Sequence, residues 1–109
     1  MNDAICEVVV TADDEEWLLD LTRALVRDRL VACGQHLTPV RSVYRWEGAV
    51  EESVETRVAL HTRTTLVSAV IERVRTEHPY DVPCVIALPV GQANPDYLAW
   101  VLESTEPHS

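Results

Sequence analysis

Lysine is absent from this chain of 109 residues: all nine basic residues are Arg, against 18 Asp plus Glu, for a formal net charge of −9. Without Lys there is no Schiff-base chemistry and no Lys-bearing phosphate loop, and three glycines do not make a Gly-rich one. An acidic chain with no cluster of bases also lacks what nucleic acid or an anionic membrane surface requires, so neither is an expected partner. No long hydrophobic run is present. Residues 1–11 carry no basic segment and centre on only Val8, Val9 and Val10, so they read as neither signal peptide nor membrane span, and a cytoplasmic location is expected. Cys6, Cys33 and Cys84 are odd in number and widely spaced, with no CxxC pair. That excludes the disulfide framework of a small secreted domain and implies reduced thiols. No Gly-x-Ser-x-Gly elbow or HExxH pair is found, so no enzymatic activity is expected.

What is present is an ordinary globular composition, 47% hydrophobic and 25% charged, of a length that suits one domain. Residues 5–11 form a β-branched run that reads as a strand. Asp13 or Asp14 then caps a helix whose stripe is Trp17, Leu18, Leu21, Ala24 and Leu25, ending near Asp28. Residues 30–46 are β-rich, with interruptions at Gly34 and Pro39. Glu47-Gly48-Ala49 reads as a hairpin turn, and residues 50–63 return with Val54, Thr56, Val58 and Leu60 alternating against Glu55, Arg57, Ala59 and His61. The turn length decides whether Tyr44 and Trp46 share a face with Val54. Thr64-Thr65 can cap a second helix, striped by Val67, Val70, Ile71 and Val74 and stopping before His78-Pro79. Residues 82–90 form a last strand, and Asn94-Pro95 opens a short third helix carrying Tyr97, Leu98, Val101 and Leu102. The expectation is an α+β, ferredoxin-like βαββαβ sandwich spanning residues 1–103, two helices on one sheet face, an extended hairpin of the second and third strands, a short C-terminal helix and a frayed tail at 104–109.

The hairpin arms run to about a dozen residues, and strands rise about 3.3 Å per residue against about 1.5 Å in helices, so the tip must overhang the helices that cover the sheet. Tyr44 and Trp46 lie near that tip. Exposed aromatics and unpaired edges imply a homo-oligomer, although a curled hairpin could bury the rings on its own sheet.

Val31-Ala32-Cys33, Tyr44-Arg45-Trp46-Glu47-Gly48, Glu55, Thr62, His78-Pro79-Tyr80 with Pro83, and Tyr97-Leu98-Ala99-Trp100 follow one another as in the CutA divalent-ion tolerance proteins, which the chain resembles over nearly its whole length. The resemblance implies a homotrimer built by the long hairpins, with Tyr44, Trp46, Tyr80 and Trp100 at the subunit interface or its clefts, and an architecture similar to the PII signalling proteins. It also implies binding of copper or another divalent cation, linked to metal tolerance. Carried over by motif, the soft ligands are Cys33 and His78, with Cys84 or Glu55 as helpers. Thiolate suits Cu(I), and imidazole either oxidation state. The chain departs from the family pattern at His61 and Ala49, where Lys is usual, and at Cys84, where Glu is usual.

Each candidate also has a plainer reading. Cys33 is a ligand or a small buried apolar residue; Cys6 and Cys84 read as core. His78 binds metal or ends the second helix against nearby carbonyls. His61 reads as solvated or ion-paired, His108 as inert, and Glu51, Glu52 and Glu55 as a solvated hairpin edge. The alternative function is a PII-like regulatory module holding a metabolite or partner protein at subunit clefts, where Arg41, Arg45, Arg57 and Arg63 can meet an anion.

Overall fold

A computed structural model describes residues 4–107. The order is β1 (Ile5–Ala12), α1 (Glu15–Arg27), β2 (Cys33–Trp46), β3 (Ala49–Arg63), a 3-10 turn (Thr64–Leu66), α2 (Val67–Glu77), β4 (Val85–Pro89) and α3 (Pro95–Ser104). The strands form one sheet in the order β2-β3-β1-β4, with every neighbouring pair antiparallel. The ferredoxin-like α+β sandwich is as expected.

Local chemistry explains most boundaries. The Asp14 side chain accepts from the Trp17 amide at 3.1 Å and Glu15 and Glu16 fill the first turn of α1, satisfying amides at the positive end of its dipole. Asn94 caps α3 in the same way, ahead of Pro95. Four boundaries differ from expectation, the first being β2, which begins at Cys33 and not at 30. Neither Thr64 nor Thr65 caps α2, which starts instead from the 3-10 turn. The last strand starts at Val85, not 82, because Pro83 has no amide to offer the ladder. The tail was expected from Ser104, but Ser104 ends α3 and Thr105 is buried, donating to Val101 O at 2.8 Å and accepting from Arg63 Nε at 3.0 Å. His108 lies outside the described residues.

Side-chain alternation sorts the sheet into two faces. Val8, Val10, Ala12, Val58 and Leu60 point one way and pack beneath Leu18, Leu21 and Leu25 of α1 and Val70 and Val74 of α2. Gly34 is required there, since a Cβ on it would stand 2.5 Å from Thr22 Cγ2 of α1. The opposite face carries Glu7, Cys33, Glu55 and His61, and only α3 covers one end of it, where Ile5, Ala32 and Val101 form a second buried cluster with Tyr97, Leu98 and Leu102.

Two features set the hairpin register. Thr38 and Pro39 stand opposite the single residue Thr56, a bulge between the pairs Leu37↔Arg57 and Val40↔Glu55, so odd-numbered residues of β2 face the open side before it and even-numbered ones after it. The turn is a two-residue one, Glu47-Gly48, with φ of 49° and 81°, the left-handed pair that suits the twist of a tight hairpin. Tyr44 and Trp46 therefore share the open face with Glu55, opposite Val54. The hairpin runs past the helices, giving extents of 46 × 27 × 22 Å and leaving Val43, Val50 and Val54 more than half exposed.

Candidate functional site

Register alone builds the first half of the site. Cys33 of β2 and Glu7 of β1 each pair directly with His61 of β3, so the three side chains form one row across the open face. A Glu7 carboxylate oxygen accepts from His61 Nε2–H at 2.9 Å. That leaves Nδ1 as an acceptor, and the Tyr97 hydroxyl of α3 donates to it. Cys33 Sγ lies 3.3 Å from Tyr97 Oη and 3.7 Å from His61 Nδ1. Burial, followed by the contact with the Cys33 thiol, pushes the Tyr97 phenol well above its usual range. The Tyr97 ring also stacks at a tilt with the ring of half-exposed Trp100, 5.6 Å between centroids.

The second half sits nearer the hairpin tip. Glu55 is buried, and both of its oxygens are engaged: Ser42 Oγ donates to one at 2.6 Å and Tyr80 Oη to the other at 2.7 Å. Glu55 is thus not part of the solvated edge expected of it. Tyr80 is shifted upward first by desolvation and then by the carboxylate it donates to, since ionising it would bury a second negative charge there. His78 uses both ring nitrogens, Nε2 donating to Thr11 O at 2.7 Å and Nδ1 accepting from the Tyr80 amide at 3.1 Å. Its ring is wedged between Trp17 and Tyr80. Around Glu55 opens a cleft of about 670 Å³ lined by Tyr44, Trp46, Tyr80, Asp81, Val82 and Cys84, among others.

The four expected metal ligands do not converge. Cys33 stands with His61; His78 has no free nitrogen; Glu55 has no free oxygen; Cys84 is exposed on the cleft wall instead of lying in the core. Cys84 and Val82 precede β4 and line the cleft together, while Ile86 within β4 points to the open face. Among the described residues, no three His, Cys, Asp or Glu side chains gather around one point. His61 is bound to the Glu7 carboxylate, on the polar strand face expected of it, and Cys6 is buried. Glu7 and Tyr97 were not singled out from sequence as site residues. The cross-strand register would have found Glu7, whereas Tyr97 reads as part of a helical stripe and of a family motif, neither of which says what its hydroxyl meets.

The sequence profile of the CutA1 divalent ion tolerance proteins matches residues 6–104. The chain belongs to this family. Protein CutA of Mus musculus is 42% identical over 103 residues, covering 94% of this chain and 58% of that protein. The divalent-cation tolerance protein CutA of Thermus thermophilus is 39% identical over 98 residues, covering 90% and 95%. The chain thus spans a little over half the length of the mouse CutA relative and nearly all of the bacterial one. Crystal structures agree: CutA1 of Thermus thermophilus superposes with a TM-score of 0.89 at 37% identity, covering 94% of this chain and 99% of that one. CutA1 of Oryza sativa gives 0.91 at 36%, covering 96% of each. The CutA resemblance carried by the motifs therefore holds across the whole fold. No helix among the described residues is long and apolar enough to cross a membrane.

Proposed function

We propose that this chain is a non-catalytic, divalent-cation-binding protein of metal tolerance, working as a homotrimer in the cytoplasm, with copper among the ions it holds. The observation that carries the reading is the family match over residues 6–104, together with relatives whose own name is divalent-cation tolerance protein. The geometry supports it with a half-buried thiol beside an imidazole on the open face. Support for self-association comes from Val82, Ile86 and Leu88, large apolar side chains exposed on that face, and from the overhanging hairpin, since contiguous apolar surface of this kind marks an interface. Light scattering at micromolar protomer concentration should return three times the 12.3 kDa chain mass; a monomer overturns the assembly. Titration with Cu(I) and Cu(II) should show saturable binding, and its absence overturns the metal reading.

The cleft around Glu55 favours a second reading, a PII-like module that holds a small metabolite or a partner protein at subunit boundaries. Its aromatic walls, Tyr44, Trp46 and Tyr80, and the nearby Arg45 suit a flat, anionic molecule. Thermal shifts measured with metals, nucleotides and organic acids separate the two readings, because a ligand raises the melting temperature only where it prefers the folded state.

A further inference from the structure

We propose that Cys33 Sγ, His61 Nδ1 and Tyr97 Oη form a three-donor site for a divalent cation of the zinc and cobalt class, with Glu7 as its positioning residue. The site rests on the divalent-cation reading above and gives it a location. Three different elements, β2, β3 and α3, deliver the donors, and the sulfur stands 3.3 Å and 3.7 Å from the other two. Tetrahedral ligands at zinc-like bond lengths of about 2.0 Å for nitrogen or oxygen and about 2.3 Å for sulfur stand roughly 3.5 Å apart. Only the Tyr97 hydroxyl must draw back from His61 Nδ1, to which it now donates, for an ion to enter between them.

The tautomer is already the one a ligand needs. Glu7 accepts the Nε2 proton, so the Nδ1 lone pair faces Cys33 and Tyr97. A carboxylate behind a histidine in this way fixes ring orientation and raises ligand basicity. Sulfur, nitrogen and oxygen together suit a borderline ion, and three protein donors leave a fourth position for water. On binding, the thiol and phenol protons leave to solvent. His78 and Glu55 do not compete, since their donor atoms are engaged elsewhere.

Cobalt(II) added to the reduced full chain provides the test. The site predicts one ion per chain, a near-ultraviolet sulfur-to-cobalt charge-transfer band and the intense visible bands of tetrahedral cobalt, all displaced by Zn(II). Cys33→Ser should abolish the charge-transfer band. Glu7→Gln should weaken affinity about 10-fold to 100-fold while leaving the saturated spectrum that of the wild type, which an unfolded variant would not do. His61→Ala should lose at least as much, and Tyr97→Phe, which keeps the ring packed on α3, should lose affinity and change the visible bands. Cys84→Ala and Glu55→Gln should bind as wild type. A charge-transfer band that survives Cys33→Ser or vanishes in Cys84→Ala overturns this site and leaves the divalent-cation reading standing. A wild-type chain that takes up neither Co(II), Zn(II) nor copper overturns both.

Discussion

The two faces of the sheet are built from the same strands and do opposite work. Beneath α1 and α2 the side chains are chiefly Val, Leu and Ala, buried and packed on one another, and they hold the fold together. On the other face, one residue along each strand, stand Glu7, Cys33, Glu55 and His61, with Cys84 in the segment just ahead of β4, and with apolar residues that no helix covers. Alternation thus divides stability from chemistry within each strand. Residues adjacent in sequence belong to different functions: Leu60 fills the core while His61 meets Glu7, Cys33 and Tyr97.

If the chain assembles as proposed, changes on the open face should abolish assembly without unfolding it, the largest effect expected. The pair Val82→Asp and Ile86→Asp places charge where two exposed apolar side chains now stand, so light scattering should report monomer while circular dichroism retains the fold. A trimer that survives the pair would break the comparison. Leu60→Ala acts on the opposite face, removing a fully buried side chain. It should cost about 3 kcal/mol, read as a lowered urea midpoint at fixed protomer concentration, whereas Ile86→Ala, measured on the dissociated chain, should stay within about 0.5 kcal/mol of wild type.

Tyr80→Phe removes one of two donors to the buried Glu55 carboxylate and should cost about 2 kcal/mol, typical of a hydrogen bond to a charged group. In the intact chain, alkaline absorbance titration should find Tyr80 and Tyr97 ionising above an ordinary tyrosine. The smallest effect belongs to His36, on the helix-covered face. Burial lowers its pKa, with Glu15 opposing and Arg23 adding to the shift, and its Nδ1 has no partner among the described residues. Below an unfolded-state value of about 6.5 the unfolded chain takes up the proton more readily than the folded one. Stability should therefore be full above that pH and decline as pH falls toward the lower folded-state pKa. In His36→Gln, denaturation midpoints should lose this slope; an unchanged slope would assign it to other groups.

The elements were legible because each carries its own local signal: β-branched runs, a 3.6-residue stripe, an Asp or Asn cap. The CutA family was legible from short motifs in order. Hairpin register was not, because it depends on the bulge at Thr38-Pro39 and on both Glu47 and Gly48 adopting positive φ, and a one-residue difference exchanges faces. How the metal ligands taken from the motifs are engaged was not legible either, for a related reason. His78 and Glu55 carry the right chemistry, but sequence does not reveal that Thr11 O, Tyr80 and Ser42 already occupy their donor atoms. Tyr97 was named in a helical stripe and a motif but not as a donor, because a stripe says which side is buried, not which strand residue its hydroxyl reaches.

The central claim is that the open face holds the cation and does so at the Cys33, His61 and Tyr97 row. Anomalous diffraction from crystals of the protein grown with Zn(II), measured on both sides of the zinc edge, tests it most directly. The account predicts a peak within bonding distance of Cys33 Sγ, His61 Nδ1 and Tyr97 Oη. A peak at His78 or in the cleft around Glu55 and Cys84, with none at that row, would contradict it.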